Sequence, residues 1–358
     1  MKIALSGYYG FDNAGDEALL SAITSSIKEL APEAEFVVFS GSPVKTTNLH
    51  GIKAIYYMNP FLLIKELVSA DLLISGGGSI FQDVTSTRSL MYYISIVALA
   101  KMLGTPVMFY AQGVGPINQR VSRFLMRLVA NKVDFITVRD MESGELLTRL
   151  GVTKPPRKIT ADPVFALKAE ERDYIKTGKI LAEINPEKAK MIGVSVRQWH
   201  ELAGYRTELA RLLDDLANDA YKIIFIPLAY PQDIAESEEV ANLMVKQPYI
   251  LNEALSSTEH IALIAQLDFL IGIRLHSLVF AAQGGIPFAG ISYDPKVTAF
   301  LETFGQKPLS LDYPQMKIEL SGLLNNVNLK EEIINTAQSL AEKSDENAKL
   351  ALDLISHK

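Results

Sequence analysis

The segment Gly272-Ile273-Arg274-Leu275-His276-Ser277 holds the densest chemistry in the sequence. It follows a short apolar run, and the pattern predicts a strand ending at Ile273 and a helix starting near Ser277. The free N–H groups of a helix start, the Ser277 hydroxyl and the Arg274 guanidinium would together make a site for an anion. His276 stands beside them, and histidine is the side chain whose ordinary ionisation suits general acid–base work near neutrality. Twenty residues on, Ser292-Tyr293-Asp294-Pro295-Lys296 follows the next apolar run and brings Lys296 to the neighbouring strand end. An Arg, a His and a Lys at adjacent strand ends suit a small molecule with more than one negative charge.

Four further segments carry polar groups just after apolar runs. Val138-Arg139-Asp140 places an arginine fork where it either meets a carboxylate or phosphate, or pairs with Asp140 or Asp162. The loop from Gly7 to Asp16 lacks both the G-x-G-x-x-G spacing and the P-loop lysine. Its Asn13 and Asp16 read either as a helix cap with a first-turn acid or as groups that orient a hydroxylated acceptor. Ser75-Gly-Gly-Gly-Ser79 requires backbone to pass close to a ligand or a neighbouring strand. Gln82 and Asp83 follow as hydrogen-bonding groups suited to sugar hydroxyls, and Gln112 ends the run before Gly113-Val-Gly-Pro116. His50, His260 and His357 read as surface residues. His200, after Trp199, either borders the site or is another of these.

The elements that must hold these residues alternate regularly. Apolar runs at Ile3–Ser6, Phe36–Phe39, Leu72–Ser75, Val107–Ala111 and Phe135–Val138 are separated by helical stretches. The pattern restarts at Ile192–Val196, Lys222–Pro227, Phe269–Ile273 and Phe288–Ile291. Such alternation predicts an α/β protein of two doubly wound Rossmann-like domains facing a cleft, with ligands at the carboxyl ends of strands. The expected domains are 1–170, carrying Arg139 and the acceptor groups, and 185–314, carrying the anion site. A helical tail, 315–358, is expected to pack back across them. The boundary is placed where the pattern loosens, around 163–190.

Composition narrows the class. The chain has 358 residues, 48% hydrophobic and 21% charged, enough apolar content to exclude disorder as the main state. A net charge of −6 argues against a nucleic-acid partner. With no cysteine, disulfides, thiolate metal sites and a cysteine nucleophile are excluded, and no His or acid cluster has metal-ligand spacing. The opening residues show no signal-peptide apolar region, and Leu90–Leu103 is too short to cross a bilayer, so a cytoplasmic protein is expected. Arg120, Arg123 and Arg127 at helical spacing, followed by Lys132, form either a solvated face or a peripheral contact with anionic lipid on the inner face of the membrane.

Taken together and in order, Gly7-Tyr-Tyr-Gly-Phe-Asp-Asn-Ala-Gly-Asp-Glu-Ala18, Gly76-Gly-Gly-Ser-Ile-Phe-Gln-Asp83, Gln112-Gly-Val-Gly-Pro116, Val138-Arg-Asp140, Asp162-Pro163, Arg274-Leu-His-Ser277 and Tyr293-Asp-Pro-Lys296 resemble the polysaccharide pyruvyl transferase family. The likeness is greatest to its CsaB-type bacterial members. It implies a fold like that of GT-B glycosyltransferases and phosphoenolpyruvate as co-substrate, with no cofactor and no metal. The pyruvyl group would be installed as a cyclic ketal on a sugar. In CsaB-type members that sugar is an N-acetylmannosamine residue of a lipid-linked cell-wall polymer precursor, and the ketal later anchors S-layer proteins. The matching positions imply that Arg139, His276 and Lys296 bind phosphoenolpyruvate or catalyse, while Arg274 and Ser277 share the His276 motif. His276 and Arg139 are the expected catalytic pair, and Asn13, Asp16, Gln82, Asp83 and Gln112 the expected acceptor groups. The rival readings are a nucleotide-sugar glycosyltransferase of the same architecture and a non-catalytic carbohydrate-binding protein.

Overall fold

Short runs of Val, Ile, Leu and Phe make the strands, as expected for sheets buried on both faces. The computed structural model describes every residue except 85, 200–203, 357 and 358; His200 and His357 therefore lie outside the described residues. The chain divides into two compact units, Met1–Leu167 with Leu340–Lys358, and Lys168–Ser339. Each unit is built on a parallel sheet.

The first unit runs β1 (Lys2–Tyr9), α1 (Ala14–Leu30), β2 (Glu35–Ser40), α2 (Pro43–His50), β3 (Lys53–Tyr56) and α3 (Pro60–Val68). It continues β4 (Leu72–Gly76), α4 (Thr87–Met102), β5 (Val107–Gln112), α5 (Arg120–Ala130), β6 (Phe135–Val138), α6 (Met141–Arg149) and β7 (Arg157–Ile159). The sheet order is β3-β2-β1-β4-β5-β6-β7, so chain direction across the sheet reverses between β1 and β4, where an open α/β sheet presents its ligand site. Every pairing is parallel. One face packs Leu20, Ile23 and Ile27 of α1 on Ile3 and Leu5. The other packs Leu63, Val97, Met126 and Leu147 of α3, α4, α5 and α6 on Val107, Phe109 and Ile136.

The second unit runs α7 (Glu171–Ile184), β8 (Lys190–Ser195), α8 (Tyr205–Asn218), β9 (Tyr221–Phe225), α9 (Gln232–Ala241), β10 (Tyr249–Ile250) and α10 (Ser257–Ile264). Then come β11 (Phe269–Gly272), α11 (Leu275–Gln283), β12 (Phe288–Gly290), α12 (Pro295–Thr303), α13 (Tyr313–Leu324) and α14 (Leu329–Ser356). Its sheet order is β10-β9-β8-β11-β12, again all parallel. The α14 helix begins in this unit and ends in the first, where Ala348 and Ala351 join the core beneath α1. There Thr160 Oγ1 donates to Asn347 Oδ1 at 2.9 Å.

Three expectations are corrected by the structure. The loosened stretch around 163–190 contains α7, whose charges form a capping box in which Asp173 accepts from the Glu170 N–H at 2.9 Å. His50 is no surface residue: its ring is 5% exposed and Nε2 lies 2.6 Å from Glu17 Oε2. His260 is wholly buried on α10 and donates from Nδ1 to the Ser256 carbonyl at 2.9 Å. Loop and helix contexts suggest an exterior place for both, whereas each ring is covered by its own unit and bonded to a neighbouring oxygen.

Candidate functional site

In the first unit the glycine run after β4 is the point on which the site residues converge. The Tyr9 hydroxyl donates to the Gly76 carbonyl at 2.7 Å, fixing the end of β1 against the end of β4. A Cβ on Gly77 would lie 2.8 Å from Leu19 Cβ, and one on Gly78 would lie 3.3 Å from Asp16 Oδ1. Both glycines have positive φ, so close approach and backbone conformation independently require glycine. The loop thus passes directly against the first turn of α1, with the Asp16 carboxylate facing it. Burial first, and then the Asp16 charge, push the Tyr9 and Tyr93 hydroxyls far above their ordinary ionisation, so both remain neutral donors.

Arg139, immediately after β6, is held as a fork. Nη1 donates to Asp162 Oδ2 at 3.0 Å, Nη2 donates to Ser79 Oγ at 2.9 Å, and Asp140 stands 3.5 Å from Nε. Of the two readings left open by the sequence, pairing with Asp162 is the one seen. Its side chain is 7% exposed and crosses Gly113 so closely that a Cβ there would sit 2.9 Å from Nε.

Several expected acceptor groups are occupied within the fold. Asn13 caps α1, accepting from the Gly15 N–H at 3.1 Å. Gln112 is fully buried and donates from Nε2 to the Gly78 and Gly113 carbonyls, tying β5 to the glycine run. Asp83 accepts from the Asn118 and Gln119 N–H groups at 2.8 and 2.9 Å and so closes the loop before α5. These three are structural in the state seen, Asn13 and Asp83 as acceptors for loop N–H groups and Gln112 as a donor to loop carbonyls. Asp16 and Gln82, the remaining expected acceptor groups, are both partly exposed.

In the second unit α11 starts at Leu275 with Arg274 as N-cap, which puts His276 and Ser277 inside its first turn. Ser277 is buried and its hydroxyl donates to the Arg274 carbonyl at 2.6 Å, so it serves the turn rather than an incoming anion. Arg274 is likewise committed: Nε and Nη2 clasp both oxygens of the fully buried Asp233. Asp233 also accepts from the N–H groups of Leu228 and Ala229. The expectation of a guanidinium held open for an anion is corrected accordingly, since a buried carboxylate must be paired. His276 stays partly exposed, its ring 6.4 Å from that of Phe280. Lys296, in the first turn of α12, lies 3.6 Å from Asp294 and 5.5 Å from the Tyr293 ring.

Sequence reasoning missed Arg197, two residues beyond β8. Its Nη1 donates to the Tyr293 hydroxyl at 2.9 Å, and its Cζ lies 5.1 Å from the Trp199 ring and 4.8 Å from the Tyr293 ring. Because β11 lies between β8 and β12, this contact spans the strand end that leads to His276. The signal was available: Arg197 follows its strand by two residues, just as Arg274 follows β11. Among the described residues no group of His, Cys, Asp and Glu side chains is arranged to hold a metal ion.

Comparison with known proteins bears on the family and the fold. Residues 13–295 match the family described as polysaccharide pyruvyl transferase. The amylovoran biosynthesis protein AmsJ of Erwinia amylovora is 20% identical over 282 residues, covering 73% of this chain and 67% of that protein. Among solved structures, the UDP-GlcNAc 2-epimerase of Neisseria meningitidis bound to UDP-GlcNAc superposes with a TM-score of 0.67 at 13% identity, covering 100% of both chains. A glycosyltransferase from Rickettsia africae gives 0.64 at 11% identity, covering 100% of this chain and 99% of the other. At such identities these two show a shared GT-B-like fold of paired parallel-sheet domains.

Proposed function

Since the chain belongs to the polysaccharide pyruvyl transferase family and is a pyruvyltransferase, we propose that it moves the pyruvyl group of phosphoenolpyruvate onto a sugar as a cyclic ketal. The observation that carries this reading is the set of groups in the second unit at the ends of three neighbouring strands. There His276 lies in the first turn of α11, while Arg197 and Lys296 both meet Tyr293 beyond the neighbouring strand. A carboxylate and a phosphate on one small molecule need cations and N–H donors of this kind. Arg139 of the first unit, a position that the resemblance assigns to phosphoenolpyruvate binding or catalysis, is itself fixed by Asp162 and Ser79.

In the reaction His276, as imidazolium, gives its proton to the terminal methylene of phosphoenolpyruvate and leaves the central carbon cationic. One sugar hydroxyl bonds to that carbon and returns a proton to His276. The carbon–oxygen bond to phosphate then breaks, and a second hydroxyl closes the ketal while its proton leaves with phosphate. Preorganised cations act where negative charge collects on the departing phosphate. Asp16 and Gln82 orient the acceptor. The acceptor that the sequence resemblance favours is N-acetylmannosamine of a lipid-linked cell-wall precursor, and the family's description as polysaccharide pyruvyl transferase supports a glycan acceptor in general.

The test is phosphate release from phosphoenolpyruvate against a panel of sugar acceptors, with mass spectrometry for a pyruvyl adduct. His276→Ala should cut turnover about a hundredfold or more while the protein stays folded. Near-normal turnover in that variant would sink the assignment. Release of UDP from a UDP-sugar, with no phosphate from phosphoenolpyruvate, would favour the glycosyltransferase reading instead.

A further inference from the structure

Between Asp83 and Asp134 the sequence contains no acidic residue, while Arg88, Lys101, Arg120, Arg123, Arg127 and Lys132 all fall in that interval. The interval includes both α4 and α5, which pack on one another over the same face of the first sheet. The chain as a whole is acidic. This pair of neighbouring helices therefore carries basic residues and no acidic one.

The same helices expose large apolar side chains. On α5, Val121, Phe124 and Leu128 are 65%, 64% and 47% exposed, and Met102 at the end of α4 is 77% exposed. At about 100° per residue, Val121, Phe124 and Leu128 share an arc of about 60°. Arg120, Arg123 and Arg127 share the adjacent arc of similar width, and Ser122, Met126, Val129 and Ala130 point into the core. None of the three arginines is ion-paired among the described residues, so the stripe is not neutralised by its own unit. Against α4, α3 leaves Phe61 and Val68 exposed two turns apart on one face.

We propose that this face, centred on α5, docks the protein on an anionic lipid surface. An apolar stripe flanked by unpaired arginines is the pattern of a helix lying in a headgroup layer, with apolar side chains below and guanidinium groups among the phosphates. Charge complementarity selects lipid over a second copy of this chain, whose same face would bring like charges together. No described helix is long and apolar enough to cross a membrane. The inference goes beyond the catalytic reading and stands or falls separately from it.

The experiment is flotation of the full chain with vesicles of phosphatidylcholine alone or mixed with phosphatidylglycerol, at low and high salt. Wild type should float with the anionic vesicles and be released by salt. Arg123→Ser with Arg127→Ser should lower partitioning roughly 25-fold, since each basic residue near an anionic surface is worth about 1 kcal/mol, or about fivefold. Phe124→Ser should lower it roughly tenfold. All these positions are exposed, so thermal melts should match wild type. Failure of wild type to float, equal flotation on neutral vesicles, or full retention by either variant overturns the proposal. Sedimentation showing a wild-type dimer that Phe124→Ser dissolves, without flotation, overturns it in favour of self-association.

Discussion

Gly113→Ala should separate the position of Arg139 from the stability of the fold. No positive φ is required at Gly113, so alanine accepts its backbone; the conflict lies in space. The new methyl would stand 2.7 Å from Ser79 Oγ, 2.9 Å from Arg139 Nε and 3.0 Å from its Cζ, where ordinary contact begins at 3.4 Å. The guanidinium must therefore retreat by about 0.5 Å in a surrounding that has no slack. That displacement stretches the 3.0 Å bond to Asp162 and the 2.9 Å bond to Ser79 to or beyond the limit for useful hydrogen bonds. Overpacking of this kind costs about 1–3 kcal/mol, a fall in melting temperature of roughly 2–4 °C per kcal/mol for a unit this size. Displacement of a binding fork by part of an ångström should cost about tenfold to a hundredfold in kcat/KM. The assay is initial-rate phosphate release across phosphoenolpyruvate concentrations, alongside a thermal melt. Gly104→Ala is the control: its φ is +80° and nothing lies within 4 Å of the new methyl, so it should lose about 1–2 kcal/mol of stability and no activity. A folded Gly113→Ala protein with wild-type kcat/KM would falsify the role given to Arg139.

Two further outcomes concern the second unit. Arg274→Ala strands the fully buried Asp233 carboxylate with only the Leu228 and Ala229 N–H groups, and should cost about 3 kcal/mol in urea denaturation. A loss under about 1 kcal/mol would mean that the pair is not what holds this turn. His260 is pushed below its ordinary value of 6.5 by burial, outweighing the Ser256 carbonyl that favours its charged form. The unfolded chain therefore binds the proton more readily, so stability is fully present above pH 6.5 and falls as pH drops below it. In denaturant titrations at a series of pH values, His260→Leu should flatten that decline, and an unchanged slope would count against the assignment.

The repeated strand–helix alternation was readable because each central strand is a continuous apolar run, as sheets covered on both faces require. Edge elements were not: β7 is exposed throughout and β10 has two residues, so neither shows a buried run. The α7 helix was hidden by the charges that cap it. At the site, positions after strands were legible, and the parallel sheets bring them to common edges. Occupancy was not legible. Whether Arg274 faces a ligand or Asp233, and whether Gln112 faces an acceptor or Gly78, depends on partners 41 and 34 residues away in the chain. Local spacing contains no information about such pairings. Pairing of Arg139 with Asp140 or Asp162 was one of the readings the sequence left open, and the structure shows the bond to Asp162.

The course of α14 has a consequence for the order in which the protein is made. The first unit is not a contiguous piece of chain: Ala348 and Ala351 complete its core, and Asn347 satisfies Thr160. During synthesis, seven strands of that unit emerge long before the helix that finishes their packing. The second unit, bounded by Lys168 and Ser339, emerges entire in between. The first half to leave the ribosome is therefore the last to close, and until it closes the apolar surface beneath α1 has only its own strands for cover.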